Sequence, residues 1–573
     1  MNALAMADAL AHRGPDDRGY FFDEKAGIAL AHNRLSIIDL SEAGRQPMIS
    51  EDGKTVLVYN GELYNFRELR KELEGLGHVF RSRTDTEVVL RSFMQWGGSC
   101  INRFCGMFAF AVWTADDRNL FLARDPMGMK PLYYIALPGG KGITFASEIK
   151  AFLALPDFRA KINRSSLNQF LEFGYTYDDN ETSLEGVFKL PPGHTLEVVQ
   201  GRVGRPAAYY APPVPSNEAD RPLEERIEEL YQTLSEVTAQ HLIADVPVGL
   251  LLSGGLDSSI IAALASKHAR VTTVSMGFAD SAVDERSFAR LVSRHIKSEH
   301  IEITIRPEEV TEKLDEVVLC FDDLFADWGT ISTRLLYKKC REQGMKAVLV
   351  GEGSDELFGG YPVFEAYQNS GLPVSVKLFL LYRRYAGRRY GRFLKFHAIM
   401  KSYLAQGSGD LFHAVRLFES RNQLPNNYVM KVDKAGMSVS VEARAPFLDR
   451  RIAEIAYKTP KKYLLNNGTN KYLLRAMAET HGLLPPEITR RPKYGASMAS
   501  SWMDESEEFR GYARGVILGK NSWADELGLR GAMTAYFENG KKGYAFPNAI
   551  SIFANLAWRL LLLNLWSGKY LTA

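Results

Sequence analysis

Ser253-Gly254-Gly255-Leu256-Asp257-Ser258-Ser259 constrains this chain more than any other stretch, because of what flanks it. Residues 248–252 are a short apolar run and residues 260–264 open an Ala-rich helical pattern, so the seven residues form a strand-to-helix turn. Glycines there let the backbone come close to a ligand, and free N–H groups at a helix start favour an anion. The GxxxxGK[ST] phosphate loop is excluded, since no lysine follows the glycines. Asp257 in an anion cradle would repel phosphate unless a cation stood between them, which points to magnesium. An ordinary Gly-rich turn is the plainer alternative.

The chain is long enough for more than one domain at 573 residues, and 46% hydrophobic with 24% charged residues is ordinary for a globular protein. A formal charge of +2 argues against nucleic-acid binding by net charge. Cys100, Cys105, Cys320 and Cys340 show no CxxC pair and no zinc spacing, so four reduced thiols are expected. No signal peptide opens the sequence, and the most apolar late stretch, 550–566, is broken by Arg559 and Asn564. A core helix, no membrane partner and a cytoplasmic location are therefore expected.

Residues 1–205 alternate short apolar runs with turns, as strands of a β-rich α+β domain do, with helical spacing at 66–77 and 84–96 and a hairpin turn at 116–119. The Pro-rich stretch 206–222 is the expected linker. Beyond it, over 223–573, helices alternate with apolar strands such as 271–276 and 347–350, the pattern of a parallel α/β sheet, and from about 365 the chain reads as mainly helical. The basic, aromatic-interleaved segment 381–395 reads as a solvated helix face.

A second cluster lies in "VGEGSDELFGGY", 350–361, where Glu352, Asp355 and Glu356 fall within five residues behind an apolar strand. Such crowding is costly unless cations neutralise it, which speaks against a purely structural role. SGGLDSS resembles the pyrophosphate loop of ATP pyrophosphatases, and with the second cluster it resembles the synthetase domain of the glutamine-hydrolysing asparagine synthetases. The likeness continues through "DE" at 284–285, "VDKAGMSVSVEARAPFLD" at 432–449, "NKYLLR" at 470–475 and "RRPKYGAS" at 490–497.

The resemblance implies roles residue by residue. Ser253, Gly254, Gly255, Asp257, Ser258 and Ser259 would hold the pyrophosphate of ATP, with Asp257 and Asp355 on Mg2+. Leu251, Met276, Val350 and Gly351 would contact the adenosine. Lys471 would stabilise charge on the α-phosphate and the leaving pyrophosphate, and Glu352 would take a proton from attacking ammonia. The implied reaction converts a carboxylate and ATP to an acyl-adenylate, which ammonia turns into an amide with release of AMP. This chain departs from the family in carrying Val350 where Ser is usual. Arg444, Asp449, Arg475 and Lys493 match family positions either as ligand contacts or as structural ion pairs.

The first half resembles the family's glutaminase domain, an N-terminal nucleophile hydrolase fold, through "HRGPDD" at 12–17, "HNRLSIIDLS" at 32–41, "YNGELYN" at 59–65, "RTDTEVVL" at 83–90 and "ARDPMGMKPLYY" at 123–134. The likeness implies a glutamine site in which Arg34 pairs with the α-carboxylate and Asp85 with the ammonium. Asn60 and the Gly61 N–H would form the oxyanion hole, and Glu62 would complete the site. The family's nucleophile is a cysteine directly after the initiator Met, whereas position 2 here is Asn2. The expectation is that the first strand and a Met-Cys start lie upstream of this chain, and that as written it uses free ammonia.

Three readings follow. The first is a glutamine- or ammonia-using asparagine synthetase acting on aspartate, with a homodimer as its expected assembly. The second is a glutamine-independent amide ligase resembling β-lactam synthetase or lasso-peptide cyclase, or an amidotransferase acting on a sugar acid. The third is a nucleotide-binding scaffold without activity.

Overall fold

The computed structural model describes residues 2–213, 221–278, 285–305, 314–366, 370–386, 393–407, 409–491, 506–539 and 547–571. The chain starts in α1 (Asn2–Ala9) and a hairpin of β1 (Asp17–Asp23) with β2 (Ile28–Arg34). A seven-stranded antiparallel sheet follows. It holds β3 (Met48–Ile49), β4 (Thr55–Leu63), β5 (Gly106–Thr114) and β6 (Asn119–Arg124), and is covered by α2 (Phe66–Gly75) and α3 (Asp85–Trp96). A separate three-stranded sheet joins β7 (Tyr133–Ala136), β8 (Ile143–Ala146) and, after α4 (Arg164–Phe173), β9 (Phe188–Lys189).

The seven-stranded sheet is completed by β10 (His194–Val199), β11 (Arg202–Val203) and β12 (Ala207–Ala208). The first residues of the expected linker therefore stay on this sheet. Tyr210 is buried, and the Tyr209 hydroxyl donates to the Arg124 carbonyl at 2.9 Å. Residues 214–220 of the linker lie outside the described residues. The Asp-Asp-Arg-Asn turn between β5 and β6 has Arg118 at φ 49°, the left-handed geometry that closes such a hairpin.

After α5 (Leu223–His241) come β13 (Val248–Leu251), α6 (Leu256–Ser266), β14 (Thr272–Phe278), α7 (Arg286–Ile296), β15 (Glu299–Ile305), β16 (Ala347–Leu349) and β17 (Glu442–Arg444). These five strands form an all-parallel sheet in the order β15-β14-β13-β16-β17. The order reverses beside β13, and in such sheets the crevice at the carboxyl ends of the central strands is where ligands bind. Apart from β17 and one two-stranded ribbon, the described residues from 370 onward are mainly helical.

The helix Pro547–Tyr570 buries Trp558, Leu561, Leu563, Trp566 and Tyr570. Arg559 leaves that apolar face to donate to the carbonyls of Leu171 and Glu172. Among the described residues no helix is long and apolar enough to cross a membrane. Within the basic segment Leu381 and Tyr382 are buried and Lys395 pairs with Asp178 at 2.5 Å; residues 387–392 lie outside the described set.

Buried charges tie the two halves together. Arg13, held by Glu148 at 2.8 Å in its own half, reaches Asp433 of the other at 3.0 Å, Lys130 reaches Glu442 at 3.1 Å, and Asp322, paired with Lys434 at 3.0 Å, accepts from the Lys150 N–H at 2.7 Å. Breaking such a pair by removing one partner strands the other charge, so these contacts fix the relative placement of the halves.

Candidate functional site

The Gly-rich turn stands where β13 runs into α6. Leu252 is held by its N–H donating to the Val274 carbonyl at 2.8 Å, after which the chain reverses through Ser253-Gly254-Gly255. Gly254 has φ 73°, and a Cβ there would lie 2.6 Å from the Ala289 nitrogen, so only glycine fits. Gly255 caps α6 without any side-chain acceptor, leaving the first-turn N–H groups directed at the turn. The Ser253 and Ser258 hydroxyls lie 3.0 Å apart, and Ser258 Oγ accepts from the Ser253 N–H at 3.2 Å. Ser259 Oγ is buried with no partner among the described residues. Leu251 and Met276 flank the turn half-buried at the ends of neighbouring parallel strands, and Gly351 comes so close that a Cβ would lie 3.0 Å from the Ser258 nitrogen.

Three carboxylates and one lysine meet at this turn. The Lys471 ammonium lies 2.6 Å from Asp257 Oδ2 and 2.6 Å from Asp355 Oδ1, bridging the turn after β13 to the one after β16. Burial works against that charge, but Asp257 and Asp355 outweigh it and hold the Lys471 pKa above the ordinary lysine value. Ser354 Oγ donates to Asp257 Oδ1 at 2.7 Å. Burial raises the Glu352 carboxyl, Lys431 opposes the rise, and the charges of Asp257 and Asp355 add to it. A carboxyl raised in this way takes up a proton more readily than a free one. Glu356 points elsewhere, accepting from the Tyr361 hydroxyl at 2.5 Å.

Gly360 makes the cluster possible. A Cβ there would stand 1.9 Å from Asp355 Oδ1 and 2.1 Å from Lys471 Cε. The room that this glycine leaves is filled by Lys471 and Asp355. Arg491 is a residue that sequence reading passes over. It donates to the Gly254 carbonyl at 3.1 Å, pairs with Glu285 at 2.7 Å and stacks 3.8 Å above the Phe288 ring, bracing the turn from its outer side. Its only signal in the sequence is its place at the head of the "RPKYGAS" segment, of which residues 492–497, including Lys493, lie outside the described set, as does Asp284.

Arg444, Asp449 and Arg475 act as structural groups in this conformation. Arg475 draws together the carbonyls of Asn470, Thr489 and Arg491. Asp449 caps the helix Arg450–Lys458 by accepting from the Arg451 N–H. Arg444 is fully buried, with Glu62 at 2.6 Å, Glu442 at 3.0 Å and the carbonyls of His241 and Ile243 within 2.9 Å. Its own carbonyl accepts from the Val350 N–H at 2.9 Å, which ties the end of β17 to the residue after β16.

The expected glutamine residues line one cavity of about 430 Å3, which contains Arg34, Asn60, Gly61, Glu62 and Asp85. Arg34 donates to the carbonyls of Ser41, Ile38 and Asp39, which curls residues 38–41 around its guanidinium. Asp85 is buried at the start of α3. It accepts from the Leu63 N–H at 2.9 Å and the Tyr59 hydroxyl at 3.1 Å, and burial holds its pKa above the usual aspartate value. Asn60 Nδ2 is buried without a partner among the described residues, a donor available to a ligand oxygen. Glu62 turns its carboxylate to Arg444 and so away from Asp85.

None of the four cysteines lines this cavity. Burial pushes the Cys100 thiol up to about 12 and the Cys105 thiol to about 11, so neither is an activated nucleophile. The cavity also separates two sheet edges. Among the described residues β2 pairs only with β1 and β8 only with β7, and residues 29–34 and 143–147 face each other across it.

Comparison with known proteins agrees with this arrangement. Residues 1–210 match the family described as glutamine amidotransferase domain and residues 229–567 the family described as asparagine synthase. Asparagine synthetase (glutamine-hydrolyzing) 1 of Bacillus subtilis is 32% identical over 535 residues, covering 86% of this chain and 82% of the relative. Asparagine synthetase (glutamine-hydrolyzing) 3 of the same organism is 31% identical over 524 residues, covering 85% and 82%. The probable asparagine synthetase (glutamine-hydrolyzing) of Schizosaccharomyces pombe is 29% identical, covering 92% and 87%. With an antiparallel amidotransferase half, a parallel-sheet half carrying the Gly-rich turn, and these matches, the chain belongs to the glutamine-hydrolysing asparagine synthetase family.

Proposed function

We propose that this protein activates the side-chain carboxylate of aspartate with ATP and converts the acyl-adenylate to asparagine with ammonia, releasing AMP and pyrophosphate. The observation that carries the reading is the Lys471 ammonium shared at 2.6 Å by Asp257 and Asp355 across the mouth of the Gly-rich turn. A carboxylate is a poor electrophile, and transfer to the α-phosphate builds charge on the phosphates, where a buried cation and first-turn N–H groups act most strongly. Ser253, Gly254, Gly255, Ser258 and Ser259 cradle the pyrophosphate, and Leu251, Met276, Val350 and Gly351 surround the adenosine. Glu352 receives a proton from ammonia as it attacks the adenylate.

Asp257 and Asp355 are oxygen donors that would hold Mg2+ together with the phosphates, the donor set this ion takes in nucleotide sites. When bound, the ion neutralises charge on the pyrophosphate. The first domain runs through Tyr210, beyond the boundary at 205 that the sequence suggests, with 211–222 as linker. The second cavity binds glutamine through Arg34 and Asp85, with Asn60 and Gly61 directed at the amide oxygen and Glu62 in its wall. Ammonia, free or released from glutamine, is the nitrogen donor. The location is cytoplasmic, and the enzyme is a homodimer.

The test is AMP release by the full chain with aspartate, MgATP and ammonium. Asp257→Asn abolishes AMP formation while thermal unfolding stays unchanged. Full activity in that variant refutes the assignment.

A further inference from the structure

A second pair of charges, which the chemistry above does not use, stands at two helices packed together beside the parallel sheet. The helix Thr330–Glu342 begins at Gly329, whose N–H donates to Asp327 Oδ1 at 2.7 Å. Lys431, on the helix Val429–Met437, reaches the same oxygen at 3.2 Å. The two helices pack together, and a Cβ on Gly329 would lie 2.9 Å from Asp327 Oδ1 and 3.6 Å from Lys431 Nζ. The pair therefore sits at the first turn of a helix.

Both partners remain partly open. The Asp327 side chain keeps 23% of its exposure and Lys431 18%. Asp327 Oδ2 makes no hydrogen bond among the described residues, and Lys431 spends one of its three donors on Asp327. Thr330 Oγ1, at the first helical position, is buried without a partner. Lys431 also acts on the catalytic cluster. After burial it is the strongest influence on Glu352, and it acts to keep that carboxyl ionised. Lys471, the other cation, is already shared by Asp257 and Asp355. The helix Thr330–Glu342 packs on β15 and leads into β16, so its start, and with it the pair, lies toward the carboxyl ends of the parallel strands, where Glu352 follows β16.

We propose that Asp327 and Lys431 read the acceptor. Asp327 takes an α-ammonium and Lys431 an α-carboxylate, so the acceptor is an α-amino acid whose side-chain carboxylate is the one activated. The assignment rests on the amide-forming reading above and adds to it the residues that choose the substrate. An adjacent, partly open pair of opposite charges complements a zwitterion, whose two groups can each replace half of the existing ion pair at little net cost. A sugar acid offers no cation to Asp327 and would leave that carboxylate facing a hydroxyl.

The test uses the full chain with MgATP and ammonium, scored on AMP release with three acceptors. Succinate is aspartate without the ammonium, and β-alanine is aspartate without the α-carboxylate. The wild type should favour aspartate over either by roughly 10- to 100-fold in kcat/KM, the range of one charge-assisted contact. Lys431→Gln should lower kcat/KM for aspartate, mainly through KM, by a similar factor beyond whatever smaller fall it causes with β-alanine through Glu352, and leave the KM for ATP unchanged. Asp327→Asn, which keeps an acceptor for Gly329, should do the same relative to succinate. Lys431→Arg, which keeps the charge, should retain most of the aspartate activity and guards against loss of folding in the glutamine variant. Unchanged aspartate kinetics in Lys431→Gln, or a parallel fall with β-alanine, would overturn the assignment and leave amide formation standing. A wild type that releases AMP with none of the three acceptors would overturn both.

Discussion

Replacing Gly360 with alanine separates the position of Lys471 from its presence. The new Cβ would stand 2.1 Å from Lys471 Cε and 1.9 Å from Asp355 Oδ1, against the ~3.5 Å of a normal contact between packed carbons. The backbone cannot yield easily. The Gly360 N–H donates to the Asp355 carbonyl at 2.8 Å, and its carbonyl accepts from Asn470 at 2.9 Å. The side chains must move instead, by about 1 Å, and a misplacement of that size costs on the order of 100-fold in rate.

Overpacking by one methyl costs about 1–3 kcal/mol, a few degrees of Tm in a protein of this size. ATP–pyrophosphate exchange in the presence of aspartate reads the activity and thermal denaturation reads the fold. Gly359→Ala is the control. Its φ of 74° makes alanine strained there, but the Cβ meets only Phe412 and Leu465, at 3.4 Å and beyond. The expected result is a loss of exchange of about 100-fold in Gly360→Ala with Tm lowered by a few degrees, and a smaller loss of exchange in Gly359→Ala for a comparable loss of Tm. Wild-type exchange in Gly360→Ala, or equal losses in both variants, would refute the reasoning.

Lys471→Ala should abolish pyrophosphate exchange, whereas Glu352→Gln should keep exchange and lose amide formation; equal loss of exchange in both would show that the two residues do not act in separate steps. The chain should release no glutamate from glutamine while making amide from ammonium, which a glutamate assay on the same preparation decides. Burial holds the His241 pKa at about 3, with its ring stacked on Tyr64. Between pH 6.5 and 3 the unfolded chain therefore takes up a proton there that the folded chain refuses, so stability falls by about 1.4 kcal/mol per pH unit for this group. The dependence of the urea midpoint on pH over that range should flatten in His241→Asn. An unchanged slope would mean that His241 is protonated in the native state.

The two Gly-rich turns could be read from the chain alone. A Gly-rich turn between an apolar strand and a helix is a local object, fixed by the φ of Gly254 and by the uncapped start of α6, so it was legible without the fold. The carboxylate crowding at 352–356 was legible for the same reason, since charge repulsion between near neighbours needs no tertiary model. What only the tertiary structure decided was which charges meet. Lys471 is 214 residues from Asp257, and Lys431 is 104 from Asp327, and no periodicity pairs them. The parallel sheet brings the β13 and β16 turns side by side, and the chain's return as β17 buries Arg444 against Glu62. Burial then sets the sign of each effect: it turns Arg444, Asp449 and Arg475 into braces, and it leaves Lys431 and Asp327 partly open beside Glu352. Desolvation depends on everything packed around a group, so it is a property of the folded molecule and not of any segment of its sequence.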